Sequence, residues 1–130
     1  MHSPGEESVL YAEECYRIQG AIFEVYHEIG AGFLESVYQE CLEMEFRRCG
    51  IPFVAQRELD IRYKGEALNQ TFRADLVCFG SIIIELKAVR EIASEHEAQI
   101  LNYLRATGLR LGLLVNFCSH PKVTIRRFVL

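Results

Sequence analysis

The sequence lacks the features that carry a chain to or across a membrane. Residues 1–7 contain neither the basic stretch nor the apolar stretch of a signal peptide. The longest apolar runs have only a few residues, as in Ile82-Ile83-Ile84, whereas a membrane-spanning helix needs about 20. We therefore expect a cytoplasmic protein that has no membrane partner, with residues 1–7 as a flexible tail.

The cysteines lack the spacing of a zinc site or a disulfide framework. Their number is odd, and C-x-x-C spacing is absent from the set Cys15, Cys41, Cys49, Cys78 and Cys118. Cys15 and Cys41 fall on apolar helical stripes, and Cys78 falls on an apolar strand face. We interpret the cysteines as buried, reduced thiols of a cytosolic protein.

An excess of positive charge is also absent. The 18 acidic residues outnumber the 14 basic ones, for a formal net charge of -4. This balance argues against a protein that coats nucleic acid through bulk positive charge, although a local site remains compatible with it. Only two residues are Asp and three are Lys, so these rare types are easy to follow along the chain.

The periodicity of apolar residues predicts one α+β domain over residues 1–130. Spacings of three and four, and an S-x-x-E capping box at Ser94, predict helices over residues 8–29, 34–48 and 94–106. Alternating and short apolar stretches predict strands at 53–63, 67–72, 73–78, 81–89, 111–117 and 123–129, the last at a sheet edge. The fold class is therefore α/β in the broad sense, a mixed β-sheet with helices packed on it.

The most informative segment is a predicted hairpin around the loop 79–81. Pairing Cys78 with Ile82 makes one face wholly apolar, with Leu76 opposite Ile84 and Ala74 opposite Leu86. On the other face the same register places Asp75 opposite Glu85 and Arg73 opposite Lys87.

Opposed β-carbons lie about 5 Å apart, so the Asp75 and Glu85 carboxylates repel each other. A hard divalent cation such as Mg²⁺ removes that repulsion, and the cations Arg73 and Lys87 nearby favour an anion. A metal site beside an anion site predicts phosphodiester chemistry. From the hairpin alone, a solvated surface charge network is an equally good interpretation.

Two segments resemble a known family. Asp75 followed by Glu85-Leu86-Lys87 is similar to the core motif of the PD-(D/E)XK nuclease superfamily, although Phe72-Arg73-Ala74 lacks the nominal Pro. Gly32 to Tyr38 reads G-x-x-E-x-x-Y, the signature of the GxxExxY proteins that are placed in that superfamily. The resemblance runs from about residue 15 to the C-terminus. It implies a restriction-endonuclease-like core, a central mixed sheet flanked by helices.

The resemblance implies a metal-dependent nuclease that hydrolyses phosphodiester bonds of nucleic acid. Asp75, Glu85 and Glu35 are the implied ligands of Mg²⁺ or Mn²⁺, and Lys87 positions or activates the attacking water. From the residues alone, Glu35 in the first turn of a helix has the alternative role of stabilising the helix end. Tyr38 is expected to pack near the site.

Gln99 and Tyr103 form Q-x-x-x-Y on the helix after the E-x-K strand, and they share one helical face with His96. In DNA exonuclease branches of the superfamily such a glutamine orients the lysine and water, and the tyrosine helps to hold nucleic acid. The resemblance therefore makes Gln99 a candidate catalytic residue and Tyr103 a substrate-binding residue. A solvated Gln, a half-buried Tyr and an exposed His are the alternatives.

The expected partner is nucleic acid, and DNA in preference to RNA. Arg73, Arg90 and Arg105 are candidate phosphate contacts on chemical grounds. One alternative function is a catalytically inactive nuclease fold that binds nucleic acid or a protein. Another is an interaction domain, in which the apolar C-terminal residues 128–130 pair edge to edge in a homodimer.

Overall fold

The computed structural model describes residues 10–119 and 121–130. Its three helices are α1 (Ala12–Ile29), α2 (Glu35–Cys49) and α3 (Ser94–Thr107). Its five strands are β1 (Phe53–Tyr63), β2 (Glu66–Cys78), β3 (Ile82–Lys87), β4 (Leu111–Asn116) and β5 (Thr124–Val129). The prediction of an α+β fold is confirmed, while the predicted tail at 1–7 lies outside the described residues.

The five strands form one mixed sheet in the order β1-β2-β3-β4-β5. Neighbours are antiparallel except β3 and β4, which are parallel because α3 carries the chain back between them. The edge position predicted for the last strand is therefore correct. The stretches 67–72 and 73–78 were expected as two strands, but they form the single strand β2, since β1 pairs with it from Cys78 to Glu66 without an intervening turn.

The core lies in two clusters on opposite faces of the sheet. Ile82 and Ile84 of β3 pack with α1 and α2 in the larger cluster, whereas Ile83 between them joins the smaller cluster with Leu104 of α3. Burying each such aliphatic side chain contributes about 1.5–3 kcal/mol. The sheet is thus covered by helices on both faces, which holds β2 and β3 rigidly between them.

Helix α3 packs closely on β4 because Gly112 has no side chain. A Cβ atom at Gly112 would lie 2.8 Å from Cδ1 of Ile100.

Helix α3 begins one residue earlier than the predicted capping box requires. Ala93 is the N-cap, and Nδ1 of His96 accepts a 3.0 Å hydrogen bond from the Ala93 N–H. His96 therefore replaces the expected Ser94 in fixing this helix end.

The described cysteines are all free thiols, as predicted, but they are not all buried. Cys15 and Cys78 are buried, Cys41 and Cys118 are half-buried, and Cys49 is exposed at the end of α2.

Across the described residues, the helices are too short or too polar to span a bilayer.

Candidate active site

The β2–β3 hairpin has the predicted register only near its loop. Leu76, Val77 and Cys78 pair with Ile84, Ile83 and Ile82, and the Ser81 N–H donates to the Cys78 carbonyl at 3.0 Å to close the turn. Beyond these three pairs the ladder stops. The expected ladder partners of Arg73, Ala74 and Asp75 are therefore wrong.

The ladder stops because two side chains take the place of main-chain acceptors. The N–H of Asp75 donates to Oε1 of Glu85 at 3.1 Å, and the N–H of Leu86 donates to Oδ2 of Asp75 at 2.8 Å. Each carboxylate is thus anchored by the main chain of the opposite strand. The two acids meet as predicted, but through these crosswise bonds and not as a ladder pair.

The interruption at Asp75 also changes which face the neighbouring residues cover. Leu76 belongs to the cluster under α1 and α2, whereas Ala74 and Phe72 pack in the cluster under α3. A regular strand would put Ala74 and Leu76 on the same face. The expected apolar pair of Ala74 with Leu86 is consequently absent, since Leu86 packs with the larger cluster.

Helix α2 is tied to β2 beside the two acids. Nε2 of Gln39 donates to the carbonyl oxygen of Asp75 at 3.0 Å. Gln39 lies four residues after Glu35, so both side chains project from one face of the helix. This bond brings Glu35 towards Asp75. Although Glu35 is an exposed residue, partial burial of its carboxyl and then the charge of Asp75 raise its pKa.

Burial sets the charge state of the acid pair. Glu85 is 9% exposed, and burial followed by the charge of Asp75 raises its pKa to about 8. Burial also raises the pKa of Asp75, against the hydrogen bond from Leu86 and the charge of Lys87, which lower it. At neutral pH the pair therefore resists carrying two negative charges unless a cation is present.

The donor set fits a hard divalent cation, since it consists of carboxylate oxygens. Of the hydrogen bonds between described residues, none reaches Oε2 of Glu85, and no fully buried side-chain oxygen there lacks a partner. Oε2 therefore keeps access to solvent. The ligand oxygens of Glu35, Asp75 and Glu85 do not all lie within 4.8 Å of one another.

A different trio in the described residues meets that distance. Ligand atoms of Glu24, His27 and Glu28 on α1 all lie within 4.8 Å of one another. The i, i+3, i+4 spacing that produces this group is visible in the sequence, although it belongs to none of the motifs described above. All three residues are exposed, which is ordinary for a charged helix surface.

Lys87 faces the acids from β3. Its charge lowers the pKa of Glu35, Asp75 and Glu85, while its carbonyl accepts a 2.9 Å bond from the Phe117 N–H. The structure thus brings together the predicted Asp75, Glu85 and Lys87, with Glu35 beside them.

The predicted arginines lie at the surface. Arg73, Arg90 and Arg105 are exposed. Arg73 stands opposite Glu58 in the β1–β2 ladder, and Arg105 donates to Oδ1 of Asn102 at 3.2 Å. In the described part of the chain, the ion pairs seen involve other arginines, Arg47 and Arg126.

Tyr103 presents its hydroxyl to the site and its ring to the core. The ring stacks on Phe72 with centroids 3.4 Å apart and planes at 16°. Burial, and then the charge of Glu85, raise the pKa of Tyr103, while a contact from Gln99 lowers it. Gln99 is exposed, and between described residues no hydrogen bond joins it to Lys87.

Tyr38 holds the loop that leads into Glu35. Its buried hydroxyl donates to the Gly30 carbonyl at 2.5 Å and accepts from the Phe33 N–H at 3.3 Å, and its ring stacks on Phe117 at 4.3 Å. Gly32 within this loop has φ 109°, a conformation that favours glycine. Packing beside the site, as expected for Tyr38, thus also fixes the start of α2.

The fold agrees with the comparisons to known proteins. A family model described as the PD-(D/E)XK nuclease superfamily matches residues 12–128, and the chain therefore belongs to that superfamily. The crystal structure of SSO0001 superposes with a TM-score of 0.56 at 20% identity. The match covers 72% of this chain and 50% of that one, so the chain spans half the length of SSO0001. No curated protein matches significantly.

Proposed function

We propose that the chain is a metal-dependent nuclease that hydrolyses phosphodiester bonds of nucleic acid. One observation carries the proposal. The Asp75 and Glu85 carboxylates lie together in a largely buried position beside Lys87, and each accepts a hydrogen bond from the main chain of the opposite strand. Burying two like charges together is unfavourable unless a cation joins them. The superfamily to which the chain belongs supports the same chemistry.

Asp75 and Glu85 would hold Mg²⁺ or Mn²⁺, with Glu35 as the third carboxylate. The bound ion would lower the pKa of water and neutralise charge that develops on the phosphate. Anchoring by the Asp75 and Leu86 N–H groups keeps both acids in place without using all their oxygens. The Gln39 bond to Asp75 keeps α2, and with it Glu35, beside the pair.

Lys87 would hold the attacking water or a phosphate oxygen, since its charge already acts on all three acids. Gln99 would orient that lysine and water when substrate is bound. The Tyr103 hydroxyl, placed near Glu85 and Gln99, would hold the nucleic acid. Because Phe72 covers one ring face, a base would reach only the free parts of this tyrosine. Arg73 would contact a phosphate from the rim.

We further propose that the substrate is DNA rather than RNA and that the chain belongs to the GxxExxY branch. The Q-x-x-x-Y pair at Gln99 and Tyr103 resembles DNA exonuclease branches of the superfamily. The roles of Gly32 and Tyr38 around Glu35 supply a physical reason for the G-x-x-E-x-x-Y spacing, since glycine and tyrosine together set the loop before the acid.

The nuclease proposal is tested by incubating the purified chain with plasmid DNA, single-stranded DNA and RNA, with Mg²⁺ or Mn²⁺. We expect DNA cleavage that Glu85→Ala and Lys87→Ala reduce by about 100-fold or more. Glu28→Ala removes an exposed acid of α1 and is the matched control, expected to cut like wild type. Equal cutting by all four proteins, or binding of nucleic acid without any cutting, would overturn the catalytic role.

A homodimer is the remaining part of the proposal. β5 is an edge strand, and its last residue Val129 and the following Leu130 are 41% and 43% exposed. An unpaired edge is a template for another strand. If the β5 strands of two chains pair around Val129, the exposed Arg126 and Arg127 of one chain do not lie opposite those of the other. Size-exclusion chromatography with light scattering should give the mass of two chains, and Val129→Lys should give one; a monomeric wild type contradicts this.

A further inference from the structure

The backbone of strand β1 is distorted at one residue where the strand passes Asp75. Ala55 pairs with Leu76 and Arg57 pairs with Ala74, but the residues between them, Gln56 and Asp75, do not pair. Gln56 has φ 52°, in the left-handed region that side-chain-bearing residues rarely adopt. The distorted residue of β1 therefore lies directly across β2 from the break in the β2–β3 ladder.

The position of Gln56 is unusual for a left-handed residue. The other described non-glycine residues with positive φ are Tyr11 at the start of α1, Lys64 in the β1–β2 turn and Phe79 in the β2–β3 loop. Each of those sits where the chain must turn or begin a helix. Gln56 instead lies inside a strand, where an extended backbone would be the relaxed choice. Such strain persists where the surrounding structure holds it, often beside a functional group.

The distorted residue lies beside the acid on the neighbouring strand. The flanking pairs of the β1–β2 ladder set Gln56 directly across from Asp75, and its side chain acts to lower the pKa of that carboxyl against the larger effect of burial. An amide donates a hydrogen bond without adding charge, so it can orient the carboxylate without replacing a cation. Leu86 holds the carboxylate of Asp75 by a hydrogen bond, Gln39 holds its carbonyl, and Gln56 stands across from it on β1.

We propose that Gln56 is a positioning residue, whose left-handed backbone and side-chain amide orient the Asp75 carboxylate for the cation. This inference rests on the function proposed above for Asp75. It concerns a residue of the edge strand that does not itself contact the cation. Its loss changes the orientation of Asp75 and not the number of ligands.

The test compares Gln56→Gly with a matched control, Lys64→Gly. Glycine relieves the left-handed backbone at both positions, φ 52° and φ 48°, so we expect a melting temperature equal to that of wild type or up to a few degrees higher in both variants. Only Gln56→Gly also removes the amide beside Asp75. A purely structural role for Gln56 predicts the same behaviour from the two variants.

The first readout is the Leu86 amide in ¹⁵N-labelled protein, because its N–H is bonded to Oδ2 of Asp75. We expect a changed Leu86 chemical shift and faster hydrogen exchange in Gln56→Gly, with the amide of Leu113 on β4 unchanged. Lys64→Gly should leave both amides as in wild type. This readout needs neither metal nor activity.

The second readout is the affinity for Mn²⁺, measured by titration calorimetry. Removing a side chain that orients a metal ligand typically weakens binding about 10–100-fold, and we expect that loss in Gln56→Gly. Gln56→Asn keeps an amide and tolerates a left-handed backbone, but its side chain is shorter, so an intermediate affinity is expected.

An unchanged Leu86 amide in Gln56→Gly overturns the positioning role, whatever the metal affinity. A lower melting temperature with shifts spread over β2 and β3 overturns it as well, since that result means a general loss of strand structure. A wild type that neither binds Mn²⁺ nor cuts nucleic acid refutes the proposed nuclease instead. In that case the Leu86 readout alone decides whether Gln56 orients Asp75.

Discussion

The main-chain N–H of Asp75 donates its hydrogen bond to the side chain of Glu85, so the two acids are joined through one strand's backbone. The reciprocal bond from Leu86 to Oδ2 of Asp75 closes the arrangement. Truncating either acid to alanine leaves a backbone N–H without its acceptor, which costs about 1–3 kcal/mol if the group stays buried. Asparagine and glutamine keep an acceptor oxygen and remove only the charge. Amide variants are therefore the cleanest probes of this site.

The metal-free protein should lose stability as the pH rises. Glu85 has a pKa of about 8 in the folded chain against an ordinary value of 4.5, because of burial and the charge of Asp75. The folded state thus binds this proton more tightly than the unfolded state, and the free energy of unfolding falls between pH 4.5 and about 8. We expect a loss of about 3 kcal/mol between about pH 5.5 and 8.5, measured by urea unfolding with a chelator present.

Glu85→Gln is the control for this pH dependence. The glutamine stays neutral throughout, so its unfolding free energy should vary less over the same range. Asp75, Glu35 and Lys87 remain in the variant, and any pH dependence that persists belongs to them or to other groups. Parallel curves for wild type and Glu85→Gln would mean that Glu85 does not titrate in this window.

Divalent cations should stabilise the protein through Asp75 and Glu85. Binding at a free concentration of 100 times Kd adds about 2.7 kcal/mol to the unfolding free energy. We expect Mn²⁺ to raise the melting temperature of wild type at about pH 7.5, and to have much less effect on Asp75→Asn, which retains the fold but not the charge. Glu28→Ala should respond like wild type. The reverse pattern would place the cation on the α1 trio.

Removing the Tyr38 hydroxyl should loosen the loop before Glu35. Tyr38→Phe keeps the stack on Phe117 but loses the bonds to Gly30 and Phe33. We expect a loss of about 1–3 kcal/mol in thermal or urea unfolding, and slower DNA cleavage because Glu35 is held less firmly. Tyr16→Phe alters a hydroxyl on a residue that is 79% exposed and should change neither quantity. Equal stability of the two variants would contradict the role of the buried hydroxyl.

Adding a methyl group at Gly112 should push α3 off the sheet. The new Cβ would stand 2.8 Å from Cδ1 and 3.0 Å from Cγ1 of Ile100. We expect Gly112→Ala to destabilise by about 1–3 kcal/mol and to reduce activity, since α3 carries Gln99 and Tyr103. Gly20→Ala, in the middle of α1 with nothing within 4 Å, should instead stabilise by about 0.5–1 kcal/mol in the same unfolding assay. Gly112→Ala with unchanged stability would show that Ile100 yields easily.

The residue pairs nearest the β2–β3 loop could be predicted because the apolar pattern of the residues next to the loop determines them. Leu76, Cys78, Ile82 and Ile84 share an apolar face, and a slip of one residue would mix the two faces of the hairpin. Asp75 could not be predicted in the same way. Its backbone bonds go to side chains of Glu85 and Gln39, and no apolar pattern reports such bonds.

The division of β2 into two strands was wrong for the same reason. Phe72 and Ala74 change sides relative to Leu76, which breaks the alternating pattern where the strand itself continues. Likewise, the resemblance to a family indicated Glu35, Asp75, Glu85 and Lys87 as neighbours. No motif contains Gln39 or Gln56, and the hydrogen bond of Gln39 to Asp75 and the place of Gln56 across from it became visible only in three dimensions.

The crosswise hairpin also has a consequence for how the chain folds. Asp75 and Glu85 lie ten residues apart and meet when a three-residue loop closes, an event on the order of microseconds. Gln39 and Asp75 are 36 residues apart, so the helix that brings Glu35 docks across a much longer stretch of chain. The like charges therefore meet before the rest of the site exists. A proton or a cation taken up by the hairpin should lower the barrier to that first step and make the refolding rate, as well as the final stability, depend on what neutralises the pair.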